Sequence, residues 1–136
     1  MNTPILFELA KLLKEKGFDV PVRTYRLEGK YPDFVHEGFE DDYWGDNKVV
    51  NWNKDVIGIK PFKGFVSAPT IAEVVMWLYE KHGVWIFIYP LNKVKGDFAY
   101  NISIDDKDVP TNNNNRFITP IEAYESGIKY TLNNLI

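Results

Sequence analysis

The segment Thr70 to Tyr89, TIAEVVMWLYEKHGVWIFIY, constrains the fold more than any other part of the chain, because a capped helix runs in it almost directly into an apolar strand. Thr70-Ile71-Ala72-Glu73 reads as a capping box, in which the threonine hydroxyl accepts from the Glu73 amide and the Glu73 carboxylate accepts from the Thr70 amide. Gly83 stands where the helix should stop. At about 100° per residue, Ile71, Val74, Val75 and Leu78 form the central stripe, with Trp77 and Tyr79 on either flank. Only Glu73 and Glu80 mark a polar face, so the wide apolar arc predicts burial on more than one side. The strand Val84 to Tyr89 then sets Val84, Ile86 and Ile88 on one face and Trp85, Phe87 and Tyr89 on the other. A strand apolar on both faces is expected to be central and covered twice. The competing reading of Trp85, Phe87 and Tyr89 is an exposed aromatic patch for a partner or a second copy, since Trp and Tyr are favoured at interfaces.

The rest of the pattern builds outward from that unit. A first helix is expected from Pro4 to Lys16, with Thr3 as N-cap, Pro4 at the first helical position and Gly17 as a left-handed C-cap. Ile5, Leu9 and Leu12 form its apolar stripe, with Leu6 and Leu13 beside them, while Glu8, Lys11 and Glu15 face away. A short strand follows within Val20 to Leu27, beginning at or after Pro21. From Gly29 to Gly64 no clean period survives, and Lys48–Trp52 with Val56–Ile59 offers one hairpin across Asn53-Lys54-Asp55. So long an irregular stretch is expected to be pinned by its own aromatic side chains. Phe98 to Ile104 alternates as a strand and should pair antiparallel with Val84–Tyr89. Asp105 to Arg116 reads as a polar loop. A third helix opens at Thr119-Pro120-Ile121-Glu122 with N-cap, N1 proline and capping-box glutamate. Its predicted buried stripe is Ile121, Tyr124, Ile128, Leu132 and Leu135. Gly127 costs about 1 kcal/mol against alanine inside a helix, so it predicts a close approach to the sheet or another helix. The expected architecture is α+β, a two-layer domain with a small, mainly antiparallel sheet and three helices, and one globular domain over residues 1–136.

Composition limits what such a domain can do. A chain of 136 residues, 45% hydrophobic and 15% aromatic, can hold a core without staples. The absence of cysteine excludes disulfides and thiolate metal sites and fits a reducing, cytoplasmic setting. The N-terminal run Ile5 to Leu13 is broken by Glu8 and Lys11 and lacks a cleavage site, so no secretory signal is read there. No apolar stretch reaches the roughly 18 residues of a membrane helix. Sixteen basic against nineteen acidic residues give a net charge of −3 and no electrostatic case for nucleic acid.

Candidate chemistry concentrates in Glu37 to Asp46, EGFEDDYWGD, where Glu37, Glu40, Asp41, Asp42 and Asp46 follow His36. Crowded oxygen ligands suit a divalent cation, and His36 as general base with Glu37, Asp41, Asp42 or Asp46 outlines a small metal-dependent hydrolase. The spacing matches no EF-hand loop, and a solvated acidic turn accounts for the same residues. His82 lies on the apolar stripe of the second helix and reads as a packed, structural histidine. Ser67, Ser103 and Ser126 lack a strained strand-turn-helix setting for nucleophilic catalysis, and neither Gly58 nor Gly64 opens a phosphate loop. Lys48, Lys54, Lys60 and Lys63, interleaved with Trp52, Phe62 and Phe65, give a third reading as a single-stranded nucleic-acid surface, which the neighbouring carboxylates oppose. No residue is assigned as catalytic, cofactor-binding or metal-binding, and no cofactor is expected. The leading expectation is a non-catalytic interaction protein, binding a protein partner or a second copy through Tyr31–Trp52 or the Trp85 strand face.

Three segments, LFELAKLLKEKGFD, SAPTIAEVVMWLYEKHGVWIFI and TPIEAYESGIKYTLNNLI, resemble a loose group of short, uncharacterised proteins of Bacteroidetes-type bacteria and their phages. They cover somewhat under half of the chain and consist of helix caps and core patterns. No activity, cofactor or site residue comes with the resemblance. It implies a bacterial or prophage cytosolic setting, and a phage or mobile-element accessory factor is one form of the interaction protein expected above.

Overall fold

The computed structural model describes residues 3–27, 33–37, 51–53, 65–91, 96–111 and 116–136. The fold is α+β, as expected, and among the described residues it has three helices and strands that pair antiparallel. The strands divide between two three-stranded sheets. Contacts gather the chain into two compact units, Asn2–Thr70 and Ile71–Ile136.

In the first unit, helix α1 spans Phe7–Glu15, later than expected. Pro4 and Ile5 are drawn into pairing instead of the helix: Pro4 bridges Thr70, and the Ile5 amide donates to the Pro69 carbonyl at 2.9 Å. Leu6, extended at ψ 154°, takes the N-cap position without a side-chain cap, so Thr3 and Pro4 do not play the expected roles. The other end forms as expected. Gly17 adopts φ +84°, its amide donates to Lys14, and the Phe18 amide donates to Leu13 at 2.9 Å, completing a Schellman motif.

The sheet of this unit has the order β2 (His36–Glu37), β1 (Thr24–Leu27), β3 (Phe65–Ser67). Tyr25 pairs with His36 on one side and Ser67 on the other. Helix α1 packs on β3, and the Lys14 ammonium donates to the Phe65 carbonyl. Trp52 is held inside this unit: its indole N–H donates to the Val22 carbonyl at 2.8 Å, and its ring lies 4.3 Å from that of Tyr25. Asn53 fastens the same segment, donating to the Phe18 carbonyl and accepting from the Ser67 amide, both at 2.9 Å. Aromatic pinning of the irregular stretch is therefore seen at Trp52. Asn51 and Trp52 are not strand residues, and the remainder of the hairpin expected at Lys48–Ile59 lies outside the described residues, apart from the turn at Asn53.

The second unit is built as helix α2 (Ile71–His82), strands β4 (Val84–Pro90), β5 (Phe98–Ile104) and β6 (Lys107–Asp108), then helix α3 (Pro120–Asn134). The sheet is a meander, β4-β5-β6. Ile86 pairs with Ile102 and Ile88 with Tyr100, so these residues share a face. Both helices pack on this sheet and on each other. Val84, Ile86, Tyr100 and Ile102 are buried, as are Val74 and Leu78 of α2 and Ala123, Ile128 and Leu132 of α3. Gly127 explains the close fit. A methyl group placed there would stand 3.1 Å from Ile86 Cγ2 and 3.2 Å from the Tyr100 ring, so α3 approaches the sheet closely at its glycine. The buried side of α3 is consequently centred on Ala123, Gly127 and Thr131, while Ile121, Tyr124 and Leu135 of the expected stripe are only half-buried. Its N-cap and N1 proline are as expected, with Thr119 Oγ1 accepting from the Glu122 amide at 3.2 Å, while the Glu122 carboxylate accepts from the Ile118 amide at 3.3 Å, one residue before the N-cap amide of a capping box.

Candidate interaction surface

The two helices of this unit, α2 and α3, pack on the β4-β5-β6 sheet from the side of Ile86. On the other face Trp85, Phe87 and Tyr89 are 41%, 36% and 40% exposed. The expectation of a central strand covered twice is thereby corrected: β4 is an edge strand and pairs only with β5 among the described residues. The physical reason lies in the order of elements. With β4 at the edge and α2 and α3 both engaged on the Ile86 face, no helix of this unit is left for the aromatic face. The wide apolar arc of α2 is likewise only partly used, since Met76 and Tyr79 remain 46% and 53% exposed.

Tyr79 and Trp85 meet at the junction of α2 and β4, with ring centroids 5.2 Å apart and planes at 76°. The edge-to-face geometry is the one favoured by the ring quadrupoles. Gly83 makes this junction possible by adopting φ +67°, and a Cβ there would lie 3.9 Å from Asp105 Oδ1. The carboxylate of Asp105 therefore stands against the helix-strand corner. It is delivered by a tight turn between β5 and β6, in which Asp105 and Asp106 take φ values of +52° and +62°. Aspartate tolerates this left-handed region better than most residues. Lys107 then pairs with Ile104 and Asp108 with Ser103. The polar loop expected from Asp105 to Arg116 thus contains a hairpin and a third strand. The adjacent aspartates, set directly after an alternating strand, are the signal that could have revealed it.

Together these elements enclose an open cleft of about 770 Å³. Its lining is apolar at Met76, Tyr79 and Trp85, acidic at Glu80, Asp105 and Asp106, and includes Ser103 of β5. No lysine or arginine lines it among the described residues. Beyond the cleft the surface continues along β4 through Phe87, which pairs with Asn101, and Tyr89, whose partner Ala99 is itself buried. The Asn101 side-chain amide donates to Asp108 at 3.3 Å, adding a polar margin.

The other residues singled out in the sequence fall elsewhere. His36 is half-buried in a ring cluster, stacked on Tyr25 at 5.2 Å and edge-on to Phe34 at 4.7 Å. Burial raises the pKa of Tyr25 above that of an ordinary tyrosine. Glu37 pairs through its backbone with Thr24, and Glu40, Asp41, Asp42 and Asp46 lie outside the described residues. Lys48, Lys54, Lys60, Lys63 and Phe62 lie outside them as well. Trp52, offered above as a stacking surface, is 4% exposed and committed to the Val22 carbonyl, and Phe65 packs on the rings of Tyr25 and Trp52. His82 packs edge-on against Trp77 with centroids 4.9 Å apart, and its Nε2 has no hydrogen-bond partner among the described residues. Within the described residues no group of three or more His, Cys, Asp or Glu side chains is arranged to hold a metal ion. None of the described helices is long and apolar enough to cross a membrane.

Comparison of the chain with protein-family models, curated proteins and solved structures finds no match.

Proposed function

We propose that this chain is a non-catalytic interaction protein that receives a protein partner on the outer face of β4. The single observation that supports this most is the row Trp85, Phe87 and Tyr89, three aromatic side chains exposed side by side on one strand and extended by Tyr79 and Met76. Contiguous exposed apolar surface is uncommon on monomeric proteins and marks interaction sites, and Trp and Tyr carry much of the binding energy where interfaces are measured. A cytoplasmic setting fits the cysteine-free composition. An accessory role in a phage or mobile element belongs to the same proposal and rests on the sequence resemblance described above.

The test is site-specific photo-crosslinking in the full-length protein within its native cell. A benzoylphenylalanine in place of Phe87 should yield a discrete adduct. The same probe in place of Lys129, exposed on α3, should not. Equal or absent adducts at the two positions would refute the reading.

A further inference from the structure

The cleft at one end of this face has a composition that selects the chemistry of what enters it. Two aromatic rings at a steep mutual angle and a thioether supply its apolar lining, and three carboxylates, Glu80 of α2 with Asp105 and Asp106 of the turn, share the same cleft. With no basic side chain among its described lining residues, the cleft sets carboxylates beside π surface. Aromatic faces and carboxylates attract the same ligand, an organic cation. Of the two cations that proteins present, guanidinium fits better. It is planar, weakly hydrated, stacks on aromatic rings and forks onto carboxylates, whereas ammonium is a compact and strongly hydrated point charge.

We propose that this cleft seats an arginine side chain of the partner, stacked on Trp85 and Tyr79 with its N–H groups directed to Asp105, Asp106 and Glu80. The inference rests on the reading of the outer β4 face as a docking surface and names the chemistry of what docks there. Asp105 and Asp106 are well placed for it because both residues of their turn take the left-handed conformation at the end of the sheet, and the Asp105 carboxylate stands beside Gly83. The apolar remainder of the partner segment would continue along Phe87 and Tyr89.

Binding of a fluorescently labelled peptide of alternating arginine and serine, measured by anisotropy with the full chain, tests this. The lysine-serine peptide serves as comparison. The arginine peptide should bind more tightly than the lysine peptide, and its affinity should fall as salt rises, since the rim charges are exposed. The triple substitution Glu80→Gln, Asp105→Asn, Asp106→Asn should weaken binding by about tenfold or more. Asparagine accepts the left-handed turn conformation, so this variant keeps the hairpin. Trp85→Ala should weaken binding comparably without any change of charge, and the thermal melt of each variant reports its folding. No binding of the arginine peptide, equal binding of the lysine peptide, or unchanged affinity in the neutralised variant would overturn the inference. Photo-crosslinking from position 87 separates the two levels. An adduct that persists while the peptide fails to bind leaves the docking surface standing and removes the arginine. Loss of the adduct itself removes both.

Discussion

The two faces of β4 are equally apolar in sequence and have opposite fates. Val84 and Ile86 are each 1% exposed beneath α2 and α3, while Trp85, Phe87 and Tyr89 on the alternate positions stand open. The difference follows the helices rather than the strand. Gly127 lets α3 sit directly on Ile86 and Tyr100, which commits that helix to one side of the sheet. Hydrophobicity therefore states that a face should leave water, and only topology decides what removes it.

This contrast can be broken by mutation. The largest effect should come from the covered face: Ile86→Ala should destabilise the protein by about 3 kcal/mol in denaturant titration, through lost burial and a residual cavity. On the open face, Phe87→Ser should cost about 1 kcal/mol or less, the scale of a cross-strand pair. Similar costs at the two positions would mean that the outer face is packed in solution. Between them lies Gly127→Val, expected to cost about 2 kcal/mol because its new methyl groups would meet Ile86 and the Tyr100 ring. A neutral Gly127→Val would show that α3 sits farther from the sheet than described.

The smallest effect concerns Glu125 on α3. Burial, assisted by the neighbouring Glu122, raises its pKa above the ordinary carboxylate value of 4.5. A carboxyl whose pKa rises on folding favours the folded state while protonated. That contribution is complete below the unfolded pKa and is lost as pH climbs through the folded one. Glu125→Gln should therefore raise the melting temperature slightly at pH 7 and leave it nearly unchanged near pH 4. A fall at pH 7 would contradict the sign.

Much of the second unit was legible because its signals are local. Thr119 caps α3, Gly83 ends α2, and the alternation from Phe98 to Ile104 marks β5. Gly127 even announced a close contact, although its partners, Ile86 and Tyr100, could come only from tertiary structure. What was not legible depended on distant pairing. Pro4 looks like a helix start until Thr70 captures it in a bridge. Trp52 offers the same aromatic ring to a ligand or to a core, and a hydrogen bond to Val22, thirty residues away, decides for the core. The cleft is not legible in the sequence for a similar reason. Its aromatic wall and Glu80 come from the α2-β4 junction, and its two aspartates from a turn about twenty residues later, in a segment that reads as plain polar loop. The acidic run Glu37–Asp46 drew attention because its carboxylates are adjacent in sequence, which sets no geometry at all.

The openness of the outer β4 face is the claim on which both proposals stand, and tryptophan accessibility measures it directly. With 5-fluorotryptophan incorporated and the Trp85 resonance assigned by Trp85→Phe, a soluble paramagnetic agent should broaden Trp85 far more than Trp52 or Trp77, which are each 4% exposed. Broadening of Trp85 no greater than that of Trp52 in the isolated, monomeric protein would show the face to be covered and would contradict the account.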